Sequence, residues 1–227
     1  MAPFRTTTQS RTTTQPRTTA RLRAALAVTT AALGLTALGA VPSTAAPAAP
    51  ARTAVAAQPA FLSAAQMPPS LTPWTAGPVV QGLPEYGVLC APGVLPAAGT
   101  RHREFRTELD TGGRQVTTVA PTEAEAVRLV GAVRTALAGC GKRIQQQEPG
   151  VEAVSRAHGT VAVEEGAYVY SLDTVDRQVG STDIHLFSVG RDGRTVTYVQ
   201  WGQLGDLPDA PLTAFRDTTR TAVAKLW

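Results

Sequence analysis

Asp183 and His185 are an acid and a histidine that stand two residues apart in a stretch with strand character. On a strand both side chains leave the same face. There a carboxylate could orient an imidazole to activate a nucleophile. Ser171 or Ser188 would have to supply that nucleophile, within about 3 Å of the ring. The ordinary reading of the pair is a solvated or hydrogen-bonded histidine. His102 and His158 show no metal-ligand spacing with it, so no metal site is expected. The chain has neither a Gly-rich phosphate loop nor a G-x-S-x-G elbow. No catalytic residue and no cofactor is expected.

Aromatic residues carry a second candidate chemistry. The chain holds 3 Trp, 4 Tyr and 5 Phe, and Tyr168, Tyr170, Phe187, Tyr198 and Trp201 are concentrated in its last third. Tyr168, Tyr170, His185 and Trp201, with Arg106 from an earlier strand, form a polar-aromatic set suited to lining a small-molecule or glycan cleft. The competing reading is that Tyr168, Tyr170 and Trp201 are core. The doublet Glu164-Glu165 reads as a solvated turn, and Arg101-His102-Arg103 as a charged strand end that discourages edge pairing.

Charge excludes one large class of function. The formal charge is +4, but Arg5, Arg11, Arg17, Arg21 and Arg23 all precede residue 24 and no acid does. The remainder holds 16 basic against 17 acidic residues, without the positive field that phosphate binding requires. No nucleic-acid partner is expected.

The basic start, the uncharged run Ala24 to Ala40 and the small residues Ser43-Thr44-Ala45 have the layout of a secretory signal peptide over residues 1–45. Cleavage is expected between Ala45 and Ala46. The alternative, a permanent signal anchor, is disfavoured because the run is short and weakly apolar. Residues 46–60, rich in Ala and Pro, read as a flexible linker. Residues 61–227 are then the folded domain of a secreted, extracellular protein, without a stable membrane anchor after cleavage. Cys90 and Cys140 are the only cysteines, and in an exported chain a single disulfide is the simplest assignment. The alternative, a nucleophilic or metal-binding Cys, lacks a nearby His or a second Cys at ligand spacing.

Several elements must position these residues. Phe61 to Met67 can form a short helix, stopped by Pro68-Pro69. Residues 70–99 are irregular. His102 to Leu109 alternates, with Phe105, Thr107 and Leu109 on one face and Glu104, Arg106 and Glu108 on the other. Asp110-Thr111-Gly112-Gly113 is a hairpin signal, and Arg114 to Ala120 returns. Thr122 and Glu125 cap a helix with an apolar stripe of Ala126, Leu129, Val130, Val133 and Leu137. Its end is expected at Cys140, with Gly141 as a left-handed cap. Val151 to Val163, Ala167 to Leu172, Asp183 to Val189 and Arg194 to Trp201 form a meander, with a tight turn at Arg191-Asp192-Gly193. A last helix follows Asp209. The fold class is α+β: an antiparallel sheet with helices packed against it on one face and one disulfide.

Phe61-Leu62-Ser63-Ala64-Ala65-Gln66-Met67-Pro68, the capped helix ending at Cys140, and the run Asp183 to Thr197 together resemble the actinobacterial extracellular sensor domains of the PknH type. The resemblance spans roughly residues 61 to 227. It implies a strongly bent antiparallel sheet with an open cleft and a ligand-binding role without catalysis. The expected function is binding of a small molecule or cell-envelope component. The alternatives are a secreted hydrolase using His185 and Asp183, and a protein-interaction or inhibitor module built on the Pro-rich stretch around Trp74.

Overall fold

The computed structural model describes residues 58–227. The expected signal segment, the expected cleavage point between Ala45 and Ala46, and residues 46–57 of the expected linker lie outside the described residues. Two two-residue strands, β1 (Thr75–Ala76) and β2 (Val80–Gln81), precede the hairpin β3 (Thr100–Arg106) and β4 (Gly112–Val119). Helices α1 (Glu123–Ala138) and α2 (Cys140–Gln147) follow. The meander β5 (Val151–Val161), β6 (Ala167–Asp176), β7 (Ser181–Asp192) and β8 (Thr195–Leu204) leads to α3 (Leu212–Ala224). All eight strands form one bent antiparallel sheet, in the order β1-β3-β4-β8-β7-β6-β5, with β2 also on β3. The fold is α+β with the disulfide Cys90–Cys140. No helix among the described residues is long and apolar enough to cross a membrane.

Strand alternation divides the core in two. On β7, Phe187 and Val189 join the α1 stripe Ala126, Val130, Val133 and Leu137, with Tyr170, Leu172, Val196 and Tyr198 from the neighbouring strands. The intervening Ile184 and Leu186 join Phe215, Ala222, Val223 and Leu226 from the α3 region, with Leu62, Phe105, Val199 and Trp201. Successive side chains on one strand point to opposite layers, so α1 and α3 cover opposite faces. The expectation of helices on a single face is corrected here. The N-terminal segment completes the α3 side: the Leu62 amide donates to Oε1 of fully buried Gln115 at 2.8 Å.

Local signals placed most elements closely. The Glu125 amide donates to Thr122 Oγ1 at 3.2 Å, the cap expected of that pair. Three details differ. The first strand of the hairpin ends at Arg106 rather than Leu109, because the Thr107 amide donates to the Thr111 carbonyl at 3.2 Å and turns the chain. Leu109 is therefore exposed. Next, Cys140 opens α2 instead of ending a helix. Gly141 is not a left-handed cap: a Cβ there would stand 2.7 Å from the Ala153 carbonyl oxygen, so the glycine permits close packing of α2 on β5. Lastly, the meander strands run further into polar sequence than propensity indicated, because cross-strand pairing continues to Asp176–Ser181 and Asp183–Leu204.

The irregular segment between β2 and β3 is stitched to the α1 side. Cys90 is bonded to Cys140 with the Cα atoms 5.2 Å apart. Arg143 donates to the Cys90 carbonyl at 2.6 Å, and the Tyr198 hydroxyl to the Leu89 carbonyl at 2.7 Å.

Candidate functional site

A cleft of about 480 Å³ lies on the α1 side of the sheet, and its lining comes mainly from β3, β4, β8 and β7. Pairing register explains its shape. Arg106 stands opposite Gly112, Gly112 opposite Gly202, and Gly202 opposite His185. This single row across four strands has long side chains at its ends and two glycines between. The next row inward is Glu104, Arg114, Gln200 and Phe187. On the outer side Leu204 pairs with Asp183, and the Asp110 carboxylate accepts from the Leu204 amide at 2.9 Å. The cleft therefore has bare peptide at Gly112, the His185 ring over Gly202, and walls of polar side chains.

The two floor glycines are not explained by backbone conformation. Neither lies in the left-handed region. A Cβ on Gly112 would meet nothing within 4 Å. A Cβ on Gly202 would collide with Nδ1 of His185, whose ring lies over that glycine. Glycine within a strand weakens it, and it often marks close approach by a ligand or another backbone.

Electrostatics divide the lining into engaged and free groups. Arg114 Nε donates to Glu104 Oε1 at 2.9 Å, and Arg114 Nη1 to the Gly87 carbonyl at 2.6 Å. Arg106 and Asp183 have no ion-pair partner among the described residues. Nδ1 of His185 and Oε1 of Gln200 are buried without a hydrogen-bond partner. The His185 ring stacks near Phe187, centroids 6.0 Å apart. Burial holds the His185 imidazole below its ordinary pKa, opposed in part by the Asp183 charge. A second depression of about 320 Å³, lined by Thr75, Gly77 and Pro78, shares Glu104 and Arg106 with the first. Arg106 thus stands between the two.

Of the five side chains expected to share a concavity, Arg106 and His185 line this one. The three aromatics do not. Tyr170 is core beneath α1. Tyr168 packs on the same layer with the Arg134 guanidinium 3.6 Å over its ring. Trp201 lies on the opposite face, 1% exposed, in the α3 core. Helices on both faces bury the aromatic stripes that one covered face would have left open. The sequence reading also passed over Gly112, Gly202, Gln200 and Arg114. Gly112 was absorbed into the hairpin signal, and the detectable clue was glycine inside strand patterns.

The hydrolase alternative needs a serine beside His185. Ser171 pairs with Leu186, and Ser188 alternates with His185, so both lie on the α3 face. Ser171 Oγ instead lies 2.8 Å from Nε2 of His158, and it is 1% exposed. No Ser, Thr, Cys or Lys lines the cleft. In the Pro-rich stretch, Trp74 donates from Nε1 to the Pro68 carbonyl at 2.6 Å and packs against the α3-side core.

Two histidines make stability depend on pH. His158 is held below its ordinary pKa by burial, then by Arg156 and Arg216; His185 is held low by burial. The unfolded chain therefore takes up protons as pH falls through about 6.5, where the folded chain resists them. Stability from both groups is present above that value and lost below it. Urea unfolding at pH 7.5 and 5.5 should give the lower midpoint at 5.5. The difference should shrink in a His158→Gln/His185→Gln variant; an unchanged difference would remove both histidines from the account.

The fold and cleft together describe an α+β domain with a glycine-floored surface site. Comparison with family models, curated proteins and solved structures found no match.

Proposed function

We propose that this chain is an exported, non-catalytic binding domain that holds a small molecule or envelope component in the Arg106–His185 cleft, in the manner that its resemblance to PknH-type sensor domains implies. The observation that carries the reading is the row Arg106, Gly112, Gly202, His185: a glycine at the start of β4 and one inside β8, neither in the left-handed region, that line a cleft of about 480 Å³. A volume of about 480 Å³ falls within the usual range for small-ligand sites. Arg106 and Asp183, neither in an ion pair among the described residues, offer charge and hydrogen bonds to an occupant. The disulfide is compatible with an extracellular setting.

Gly112→Val is the direct test. The site has ordinary strand backbone and open space, so the new side chain fills the cleft without strain. Valine also favours a strand. The thermal midpoint should stay level or rise, while stabilisation by any hit from a metabolite and envelope-fragment screen should disappear. Hits that stabilise both proteins equally bind elsewhere. A screen in which no compound separates the two proteins would count against the reading.

A further inference from the structure

The charges left free in the cleft identify a ligand class. Glu104 is ion-paired with Arg114, whereas the Asp110 carboxylate accepts from the neutral Leu204 amide and keeps its negative charge, on the side of the cleft where Leu204 pairs with Asp183. Without any side-chain ion-pair partner among the described residues are one cation, Arg106 on β3, and two anions, Asp110 and Asp183, of which only Asp183 on β7 has no hydrogen bond to its carboxylate; Gly112 and Gly202 lie between Arg106 and β7. We infer that the cleft binds a zwitterion, its carboxylate on the Arg106 guanidinium and its ammonium on the Asp183 carboxylate. This inference rests on the cleft being a binding site, as proposed above.

Three features support the assignment. A guanidinium presents paired N–H donors that match a carboxylate, and such charge-assisted bonds are stronger than neutral ones. His185 is held toward its neutral form by burial and so does not oppose an ammonium beside Asp183. Length sets the third. Arg106 and His185 are separated by three strand spacings, about 14 Å between backbones. Arginine reaches several ångströms into that span, and Asp183 lies one row further out. The remaining gap is too wide for the adjacent charges of one α-amino acid. It matches an extended chain of two to three residues at about 3.5 Å each. The open space over Gly112 lets such a backbone approach the sheet there, beside the His185 ring that covers Gly202. A short peptide with both termini free is therefore the ligand class.

Amide chemical-shift titrations of the purified protein test this with trialanine, N-acetyl-trialanine, trialanine amide and maltose. Trialanine should move the Gly112 and Gly202 amides, at an apparent Kd at least tenfold below either blocked peptide. Arg106→Gln should weaken trialanine about tenfold and leave trialanine amide unchanged. Asp183→Asn should weaken trialanine similarly and leave N-acetyl-trialanine unchanged. Gly112→Val should abolish every cleft shift. Equal affinity for free and blocked peptides would overturn the zwitterion assignment, as would a loss of trialanine amide binding in Arg106→Gln. If maltose alone moves the two glycine amides, the assignment fails and the binding cleft stands. If no probe moves them, the assignment again fails, and the Gly112→Val screen decides the cleft by itself.

Discussion

Trp201→Ala is expected to destabilise the protein by about 3–5 kcal/mol, the range for truncating a large buried aromatic. Trp201 is 1% exposed and packs in the α3-side core with Phe105, Val199 and Phe215. Its removal leaves a cavity between the sheet, α3 and the N-terminal segment, and that layer is too well packed to close over it. The indole Nε1 has no hydrogen-bond partner. Trp201→Phe therefore forfeits volume but no polar contact and should cost less than the alanine variant. Denaturant unfolding of both variants measures the difference. A loss below about 1 kcal/mol for alanine would be inconsistent with a core position.

Removing the disulfide should have the second-largest effect. Cys90 and Cys140 are separated by 50 residues. Closing such a loop in the unfolded chain is worth roughly 4 kcal/mol on the chain-entropy account. Cys90→Ser/Cys140→Ser is expected to lose about 2–4 kcal/mol. The lower part of that range applies if the segment between β2 and β3 relaxes. The hydrogen bonds from Arg143, Tyr198 and Arg114 to Cys90, Leu89 and Gly87 remain to hold it. The Arg114 contact links this segment to the cleft wall, so its exchange protection in the variant should fall together with that of residues 83–96. Titration of the untreated protein should find no reactive thiol; two would exclude the bridge.

The signals that located elements were local ones. Thr122 with Glu125 marked the start of α1, and Arg191-Asp192-Gly193 marked the β7–β8 turn. The two cysteines sufficed for the disulfide because no other pairing existed. Strand extents at Arg106 and Asp176 were less legible, since hydrogen bonds from partner strands decide where a strand stops.

The residues of the cleft divide in the same way. Arg106 and His185 stood out because each is a polar group on an alternating segment. Tyr168, Tyr170 and Trp201 stood out for composition, and the fold used them as core. Gly112 and Gly202 are far apart in the chain and become neighbours only through the β4–β8 pairing, which closes after α1, α2 and three more strands. The sequence alone determined the kinds of element, the α+β class and the one covalent crosslink, because caps, turns and period-two patterning act over a few residues. Tertiary structure alone decided that helices cover both faces, and so that Tyr170 and Trp201 are buried, Tyr168 is half-buried and the candidate site is a strip of glycine between an arginine and a histidine. Face and register are set by which strands pair, and that is a property of the whole sheet.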